Sequence, residues 1–461
     1  MAGRAQLGFI LLLSLKETKM SITQFVRPEA KILRVFRIRV VDKPGCLGRL
    51  ATKLGEMGAN IGDIAIVSQG PDFLIRDITL QMDDEKHLID LIDALEHMDG
   101  FDLELVLDPV EQAHEGGKIR MRSRKPLDSI AEMRKIYTPG VAQICRLIQR
   151  DISQSRHYTS IGNSVAIVTN GTAILGLGNI GAVAGMPVME GKAVLYEQLT
   201  GISGVPILIQ SEDPDTIVNT VLNIAPTFGA IHLEDIAAPQ CFEIERRLAE
   251  SLDIPVLHDD QHATAVVVLA ALLTITQRTG VDLSASRVGI IGLGAAGSGI
   301  AELLRSYGVK QVYGTDLRQV SLDRLQELGG TPCNLAQVMQ CEVVVATTGV
   351  PGLIKPEMVR PGQVILALSN PDPEIQPEVA MAHGAVFAAD GRTINNALSF
   401  PGLFRGALQA QAHKFTDSMK LAAAHAICGQ TKLDNIVPSI LDREVHTHVA
   451  NAVARAASLT T

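Results

Sequence analysis

Hydrophobic and polar residues alternate clearly in the first folded segment of the chain, from Leu33 to Leu107. Phe36, Ile38 and Val40 alternate with two arginines, which is typical of a strand with one buried and one solvated face. The whole segment has the pattern strand, helix, strand, strand, helix, strand, which is a split βαβ unit. It predicts a small ferredoxin-like α/β domain over residues 33–110.

The first turn of this segment, DKPGCLGRLATKLGEMGANI, places Pro44 and Gly45 directly before an amphipathic helix. With this turn the segment resembles an ACT domain, a small regulatory module that binds amino acids or similar effectors between paired copies. Backbone N–H groups of such a turn can receive a carboxylate. The resemblance implies effector contacts at Asp42, Gly45, Leu47 and Asn60. A dimerisation domain without a ligand is the alternative interpretation.

Strands alternate with helical stretches over the rest of the chain, which predicts two α/β domains with parallel sheets, over residues 111–272 and 273–461. The predicted strands of the first are SVAIVT, TAILGLG, VPILIQ, GAIHLED and IPVLHDD. Those of the second, a Rossmann-type domain, include VGIIGLG, QVYGTD, EVVVATTG, QVILALSNPD and AVFAAD. The segment HTHVANAVARAAS is expected to form a closing helix.

The composition suits a cytoplasmic enzyme. The chain has 41 Lys and Arg residues against 50 Asp and Glu residues, a formal net charge of −9, which argues against a nucleic-acid partner. Five cations from Lys118 to Lys125 lie in a linker without aromatic residues and are interpreted as a solvated face.

Six scattered cysteines form no C-x-x-C pair, which predicts neither a disulfide framework nor a thiolate zinc site. They are Cys46, Cys145, Cys241, Cys333, Cys341 and Cys428.

An apolar run near the N-terminus, LGFILLLSL from Leu7, is shorter than the ~20 residues that span a bilayer. The charged KETK follows it rather than a small-residue cleavage site, although a signal peptide stays open. Met20 opens MSITQF just before the first folded segment. Residues 1–32 are therefore expected to be a disordered tail or the product of an over-extended start, and no membrane partner is predicted.

Two copies of G-x-G-x-x-G raise the question of which one binds a dinucleotide. The second copy follows an apolar strand and opens a helix, so that backbone N–H groups and the positive helix end can meet a pyrophosphate. After the first copy, Gly176 to Gly181, further Gly and Pro residues break any helix that would carry the phosphate. The first copy is therefore interpreted as a tight glycine loop beside a substrate. The predicted cofactor contacts of the second are Gly292, Gly294, Ala295, Ala296 and Gly297.

An acid at the end of the next predicted strand indicates which cofactor binds. Asp316 lies 24 residues after Gly292, close to the ~20 typical of a carboxylate that binds the ribose hydroxyls of NAD. Arg318 could instead pair with the 2′-phosphate of NADP. We therefore predict NAD, with NADP as the alternative.

Two acidic pairs follow neighbouring strands of the predicted middle domain. Glu234 and Asp235 end one strand, and Asp259 and Asp260 end the next. A right-handed crossover brings the carboxyl ends of parallel strands to the same edge, where adjacent strands are only ~4.8 Å apart. Four carboxylates at that range repel one another unless a divalent cation lies among them. Oxygen ligands indicate Mg²⁺ or Mn²⁺.

Other polar residues near these acids have more than one interpretation. His258 and His262 have i, i+4 spacing, but we expect satisfied polar histidines rather than a zinc site, because the strand has only just ended. Burial within MEGKAVLY could lower the pKa of Lys192 towards neutrality, where a lysine can act as a base, whereas the nearby acids would raise this pKa. Tyr137 precedes a predicted helix with Thr138 as N-cap, where its phenol could donate a proton.

Eight stretches in this order closely resemble bacterial malic enzymes: IYTPGV, ILGLGNIG, MEGKAVLY, HLEDIAAP, HDDQHATA, GLGAAG, ALSNPD and INNALSFPGLFRGAL. The resemblance covers about residues 121–429 and assigns a role to each matching residue. The implied metal ligands are Glu234, Asp235 and Asp260. The implied acid–base residues are Lys192 as general base, Tyr137 as general acid and Asp259, which orients Lys192. The implied substrate contacts are Gly176, Gly178, Asn370 and Asn396, and Asn370 would also contact the cofactor.

The resemblance implies metal-dependent oxidative decarboxylation of L-malate to pyruvate and CO₂, with reduction of NAD or NADP. One position departs from the family: many members have an arginine just before ILGLG that clamps a substrate carboxylate, and here that position is Ala173. Two alternatives stay open, a non-decarboxylating 2-hydroxy-acid or amino-acid dehydrogenase with an ACT domain, and a catalytically silent effector-binding protein. A homodimer or higher homo-oligomer is expected.

Overall fold

The structure, a computed structural model, describes residues 31–174, 176–432 and 434–459. The chain divides into two compact units, residues 1–118 and 119–461. Of the predicted tail over residues 1–32, residues 1–30, with the apolar run from Leu7, lie outside the described residues. Ile32 already begins the first strand.

The first unit contains one antiparallel sheet of four strands in the order β2-β3-β1-β4. This is the ferredoxin-like βαββαβ arrangement that the alternating pattern predicted. The elements are β1 Ile32–Val41, α1 Cys46–Glu56, β2 Asn60–Gln69, β3 Phe73–Met82, α2 Glu85–Glu96, β4 Phe101–Leu107 and α3 Pro109–His114.

This unit has its own hydrophobic core. Phe36, Ile38 and Val40 on β1 are buried, as their alternation with arginines predicted, and they pack with Leu50 of α1 and Leu91 of α2. All the buried residues of this cluster belong to the first unit. Burial of apolar surface is the main stabilising term in folding, so the unit carries its own driving force.

The second unit contains two parallel sheets and the helices around them. The elements of its first half are α4 Ile130–Ile136, α5 Val141–Arg150, α6 Ser155–Tyr158, β5 Ser164–Thr169, α7 Met186–Thr200, β6 Ser203–Leu208, α8 Pro214–Ile224, β7 Ala230–Leu233, α9 Gln240–Ser251, β8 Val256–His258 and α10 Asp259–Thr279. Short 3₁₀ turns lie at Ile152–Gln154, Ile161–Asn163, Val183–Gly185, Ala225–Thr227, Pro356–Met358 and Asn396–Leu398.

The elements of its second half are β9 Arg287–Ile291, α11 Ala295–Tyr307, β10 Gln311–Thr315, α12 Gln319–Glu327, β11 Thr331–Pro332, α13 Leu335–Val338, β12 Val343–Ala346, β13 Val364–Ala367, α14 Pro377–Ala382, β14 Phe387–Asp390, α15 Phe400–Gln409, α16 Asp417–Gly429 and α17 Arg443–Ser458.

The two sheets of this unit have the orders β6-β5-β7-β8 and β11-β10-β9-β12-β13-β14. All their strands are parallel, and the second order is that of a Rossmann sheet. Helix α10 leads from the first sheet to the second and crosses residue 272, where a domain boundary was predicted. By length and composition α10 could cross a membrane, but 72% of its apolar window is buried, which is typical of a core helix.

Two local predictions were wrong. The segment TAILGLG is not a strand: Ile174 makes only an isolated bridge with Gly178. Gly176 and Gly178 have φ values of 73° and 79°, which extended strands do not adopt. Thr138 does not cap the next helix, which begins at Val141 after Gly140, because residues 137–140 form a turn bonded back to α4.

Candidate active site

Three carboxylates meet at the carboxyl edge of the first parallel sheet. Leu233 at the end of β7 pairs with His258 at the end of β8, so the residues that follow both strands lie at one edge, as predicted. Glu234, Asp235 and Asp260 each offer an oxygen, and these oxygens lie within 4.8 Å of one another. Glu234 and Asp235 are almost fully buried. These are the three residues predicted as metal ligands.

The backbone at Asp235 is unusual and is held on both sides. Its φ of 53° is in the left-handed region, which costs a non-glycine residue on the order of 1–3 kcal/mol. Its N–H donates to Asp260 Oδ2 at 2.9 Å, and its carbonyl accepts from the N–H of Ala173 at 3.0 Å. The strained residue is thus fixed against both the second acidic pair and the glycine loop.

Lys192 lies beside this cluster, on the buried face of α7. Its Nζ donates to Asp259 Oδ2 at 2.6 Å and to Asn396 Oδ1 at 3.4 Å, and it lies 3.1 Å from Glu234 Oε1. Nζ also lies 4.5 Å from the centre of the Phe400 ring. Asn396 Nδ2 donates to Asp259 Oδ2 at 2.6 Å, which closes a triangle of lysine, aspartate and asparagine.

The charges of the cluster shift its titration strongly. Burial alone would lower the pKa of Lys192, but the Asp259 and Glu234 carboxylates outweigh it and raise that pKa. The sequence left open whether the pKa of Lys192 is lowered by burial or raised by the nearby acids. In this arrangement it is raised, and the prediction of a lowered pKa was wrong. Burial together with the neighbouring acids raises the pKa of Asp235 to about 9, and burial raises that of Glu234 to about 7 despite Lys192.

The arrangement fits a divalent cation bound by Glu234, Asp235 and Asp260. Asp235 Oδ2 is buried and accepts no hydrogen bond from any residue that the structure describes, which leaves a buried acceptor unsatisfied. A second set with atoms within 4.8 Å comprises His232, Glu234 and Asp259. That set is less suitable, because both nitrogens of its histidine already have close protein partners, whereas each carboxylate oxygen of the first set has a further lone pair. Carboxylate oxygens suit hard cations such as Mg²⁺ and Mn²⁺.

The two histidines next to the acids differ from each other. His262 Nε2 lies 3.0 Å from Glu245 Oε2 and its Nδ1 lies 3.5 Å from Lys420 Nζ, so it is a satisfied polar histidine as predicted. His258 is fully buried, and its Nε2 lies 3.3 Å from Asp260 Oδ2. That Nε2 is therefore paired with Asp260, whereas Nδ1 has no hydrogen-bond partner among the described residues, so the prediction holds for His258 only in part.

The first glycine loop lies next to the acids and to Asn370. The N–H of Ala237 donates to Thr172 Oγ1 at 2.9 Å, which joins the loop to the segment after β7. A Cβ on Gly176 would lie 3.9 Å from the carbonyl oxygen of Asn370, and nothing would lie within 4 Å of one on Gly178. The structure therefore brings Gly176, one of the two predicted substrate residues of this loop, close to Asn370. Ala173 contributes only its backbone to this corner.

The second glycine motif has the geometry of a dinucleotide turn. Gly292 has a φ of 87°, and α11 begins at Ala295 without a side-chain cap. A Cβ on Gly297 would lie 1.9 Å from the carbonyl oxygen of Gly292, so only glycine fits there. The uncapped N–H groups of the first turn of α11 are available for an anion, as in a pyrophosphate site.

Asp316 and Arg318 both lie at this turn. Asp316 Oδ2 accepts from the N–H of Leu293 at 2.7 Å, and its Oδ1 accepts from the N–H of Arg318 at 2.8 Å. The Arg318 guanidinium lies 3.5 Å from Asp316 Oδ1 and donates to the carbonyl of Ala238 at 3.2 Å. In this arrangement the arginine is already paired with the acid and with the segment after Glu234 and Asp235.

Tyr137 is not buried with these residues. It follows α4 directly, and 68% of its surface is exposed. The structure thus brings together Lys192, Asp259, Asn396 and the three acids, and leaves the predicted general acid at the surface of the unit.

The predicted effector residues lie around the first turn of the first unit. Gly45 has a φ of 88° and precedes α1 without a side-chain cap. The N–H of Asp42 donates to the carbonyl of Asp72 at 2.9 Å, which joins the turn to the β2–β3 hairpin. Asp42, Gly45 and Asn60 are exposed and Leu47 is half-buried.

Tyr196 and His232 were not predicted as functional residues. Both are fully buried directly behind Glu234. Two signals in the sequence could have found them: Tyr196 lies four residues after Lys192 on a helix, and His232 lies two residues before Glu234 on a strand. Each spacing places the residue on the same face as its predicted neighbour.

Comparison with protein families matches three parts of the chain. Residues 34–101 match the ACT domain. Residues 116–213 and 209–249 match the malic enzyme N-terminal domain, and residues 331–458 match the malic enzyme NAD binding domain.

Individual relatives agree with these matches. The chain is 53% identical to NAD-dependent malic enzyme 1 of Bacillus subtilis (strain 168) over 429 residues, 92% of this chain and 98% of the relative. It is 39% identical to the NAD-dependent malic enzyme of Geobacillus stearothermophilus over 435 residues, 88% and 91% of the two chains. The crystal structure of malic enzyme from Pyrococcus horikoshii Ot3 superposes with a TM-score of 0.71 at 41% identity, covering 75% of this chain and 87% of that one.

Proposed function

This chain belongs to the malic enzyme family, and from that premise we propose how its buried residues carry out the oxidative decarboxylation of malate with NAD. The observation that supports the assignment of roles is the cluster of Glu234, Asp235 and Asp260 beside Lys192. Such a cluster places an acid–base residue and a cation site at the carboxyl edge of a parallel sheet, where α/β proteins bind substrates.

Lys192 is the general base for the hydroxyl proton of L-malate. In the cluster it is an ammonium ion, so it must release a proton before it can accept one. Asp259 Oδ2, 2.6 Å from Nζ, is the nearest acceptor, and the same atom is held by Asn396 Nδ2. Asp259 and Asn396 therefore orient the amine and provide the site to which its proton can move.

The cation site is formed by Glu234, Asp235 and Asp260, and Asp235 Oδ2 has a lone pair free for this purpose. A bound Mg²⁺ or Mn²⁺ would offset the negative charge around Lys192 and act as a Lewis acid towards the substrate oxygens and the charge that develops as CO₂ leaves. Asp260→Asn should weaken Mn²⁺ binding, because it removes one of three anionic ligands. Asp213→Asn is the matched control, since Asp213 caps α8 and asparagine caps a helix equally well.

Gly292 to Gly297 and Asn370 would hold the dinucleotide, with Asp316 at its adenosine ribose. The chemistry that bound NAD would supply is a hydride acceptor for C2 of malate. Asp316 would repel a 2′-phosphate, and Arg318 is engaged by Asp316 and by the Ala238 carbonyl. These contacts favour NAD over NADP.

Tyr137 is the general acid that returns a proton to the enol carbon to give pyruvate, and we assign it to the site of a second copy of the chain. Helices α4 and α5 on either side of it bury no residue. Their exposed apolar side chains form a surface that a monomer would leave in water. The members are Ile130, Met133, Ile136, Tyr137 and Val141. We propose that a homodimer covers this surface and that Tyr137 then acts together with Lys192 of the partner subunit.

The first unit is a regulatory module for a small carboxylate effector at Asp42, Gly45, Leu47 and Asn60. The exposed turn and the start of α1 support this, because no side chain caps the backbone N–H groups there and a carboxylate could meet them. We place the enzyme in the cytoplasm, which suits its six free cysteines.

One assay tests the proposal and separates it from both alternatives. The enzyme is stripped of metal with EDTA and then incubated with L-malate and NAD, with and without Mn²⁺. We expect NADH, pyruvate and CO₂ in equal amounts, and only with Mn²⁺. Oxaloacetate without CO₂ would indicate a plain dehydrogenase, and the absence of NADH under all conditions would indicate a silent effector-binding protein.

A further inference from the structure

Tyr196 and His232 form a buried polar pair on the side of Glu234 that faces the protein interior. Both side chains are fully buried, and Glu234 is 3% exposed. Tyr196 comes from α7, one turn after Lys192, and His232 comes from β7, two residues before Glu234. The pair therefore joins the two elements that carry the proposed base and the proposed cation ligand.

The hydrogen bonds run in one direction from the tyrosine to the carboxylate. His232 Nε2 lies 2.5 Å from Glu234 Oε2, and Tyr196 Oη lies 2.7 Å from His232 Nδ1. Because a carboxylate only accepts hydrogen bonds, we assign the ring proton to Nε2. In the neutral imidazole Nδ1 is then an acceptor, and the phenol donates to it.

Aromatic rings prevent both side chains from turning away. The His232 ring stacks on Phe404, with ring centres 5.3 Å apart and an angle of 18° between the planes. The Tyr196 ring meets Phe400 edge to face with centres 4.9 Å apart. A buried ring in such contacts has one rotamer, so the direction of the His232 N–H is set by packing.

We propose that Tyr196 and His232 are positioning residues that hold Glu234 in the orientation required to bind the divalent cation. The inference rests on the cation site proposed above. Glu234 Oε2 accepts from His232 while Oε1 lies 3.1 Å from Lys192 Nζ, so the carboxylate is held at both oxygens. Hydrogen bonds of this kind orient metal ligands before the metal arrives, and their loss typically lowers metal affinity 10- to 100-fold.

The test measures Mn²⁺ binding to the full-length enzyme without malate or NAD, by electron paramagnetic resonance of free Mn²⁺. His232→Leu removes the N–H, whereas His232→Gln retains a donor at the position of Nε2. Tyr196→Phe removes only the hydroxyl. Tyr307→Phe is the matched control, since Tyr307 also packs beside a histidine ring, that of His425, but on α11. Thermal unfolding of each variant is recorded so that a loss of fold is recognised.

We expect the Kd for Mn²⁺ to rise about 10- to 100-fold in His232→Leu and to recover most of that loss in His232→Gln. Tyr196→Phe should raise it about 3- to 10-fold, the effect of one lost hydrogen bond, with Tyr307→Phe unchanged. If folded Tyr196→Phe and His232→Leu bind Mn²⁺ as the unaltered enzyme does while Asp260→Asn does not, the positioning role is wrong and the cation site stands. If the unaltered enzyme binds no Mn²⁺, the cation site itself is wrong.

Discussion

Lys192 shows how the surroundings of one residue determine its chemistry. The helix that carries it places its amine among Asp259, Glu234 and Asn396, and these contacts raise its pKa despite burial. A lysine in such a site holds its proton until the negative charge around it is reduced. The proposed base would therefore stay protonated until a bound Mg²⁺ or Mn²⁺ offsets the negative charge around it.

Lys192→Met should strongly slow the oxidation of malate but leave the decarboxylation of oxaloacetate intact. Methionine fills the same volume but cannot accept a proton, and a general base contributes about 10²–10⁴-fold to the rate. We therefore expect kcat with malate to fall by about that factor. Decarboxylation of added oxaloacetate with Mn²⁺ should persist, because it requires no base at the hydroxyl.

The matched control for this variant is Lys420→Met, because Lys420 is also buried and ion-paired, with Asp417 at 2.8 Å. Its kcat should stay close to that of the unaltered enzyme. Equal losses of malate oxidation in both variants, or a normal rate in folded Lys192→Met, would remove Lys192 from the mechanism.

At the level of single residues, the sequence predicted which acids meet but not which side chains lie behind them. Glu234, Asp235, Asp259 and Asp260 could be placed together because the carboxyl ends of adjacent parallel strands share an edge. The spacing of His232 from Glu234 was a weaker signal, since a histidine in a strand is most often a core residue. The direction of the Lys192 pKa shift required the distances, because burial and the acids act in opposite directions.

At the level of elements, the two glycine motifs differ in the structure that comes after each. The helix after Gly297 was predicted and is α11. The strand predicted for TAILGLG is a loop, because its glycines adopt positive φ angles that the run of apolar residues did not indicate. An apolar run is compatible with a strand or a packed loop, and the positive φ angles of Gly176 and Gly178 distinguish them here.

Substitution of alanine for two glycines of the nucleotide turn should affect different properties, the stability of the fold for Gly297 and the binding of NAD for Gly294. Gly297→Ala places a Cβ 1.9 Å from the Gly292 carbonyl oxygen, so we expect a loss of stability of about 1–3 kcal/mol or more and a lower Tm. A methyl group added at Gly294 would have no other atom within 4 Å, and the φ of this residue is −70°, so Gly294→Ala should keep its Tm.

The KM for NAD is expected to reveal the effect of Gly294→Ala, which stability does not. The methyl group of Gly294→Ala would lie at the proposed pyrophosphate site, so KM for NAD should rise roughly tenfold or more, the effect of a lost charge-assisted hydrogen bond. Calorimetry and steady-state kinetics on both variants check this. A normal KM for NAD in Gly294→Ala would contradict the placement of the pyrophosphate at this turn.

At the level of the whole molecule, the order of the ACT-like module and the two parallel sheets followed from the hydrophobic patterns. The exposed apolar surface of α4 and α5 could not be predicted, because whether such residues are core or interface depends on what packs against them. The helical spacing is the same in both cases. Their lack of burial in the second unit is the observation that supports the proposed homodimer.

A mixture of two inactive variants tests whether Tyr137 acts in the partner's site. Tyr137→Phe and Lys192→Met are co-expressed with different tags and the mixed dimers are compared with each variant alone. If each site uses Tyr137 of the other subunit, one site of each mixed dimer is intact, and a statistical mixture should regain about a quarter of normal activity. No recovery in verified mixed dimers would place Tyr137 in the site of its own chain.

The first unit should act as a sensor that changes malate binding without taking part in the chemistry. It has a separate core and contains none of the proposed catalytic residues. An effector alters affinity only if it binds one conformational state better than another, with typical coupling of about 5- to 150-fold.

We would titrate the twenty standard amino acids and short dicarboxylates against the intact enzyme and against a form lacking residues 1–118, measuring KM for malate and direct binding. At least one compound should bind only the intact enzyme and shift its KM by that range, and Gly45→Ala, strained at a φ of 88°, should weaken that binding. If no compound binds and removal of the unit changes neither KM nor oligomer size, the unit is neither a sensor nor a dimerisation domain.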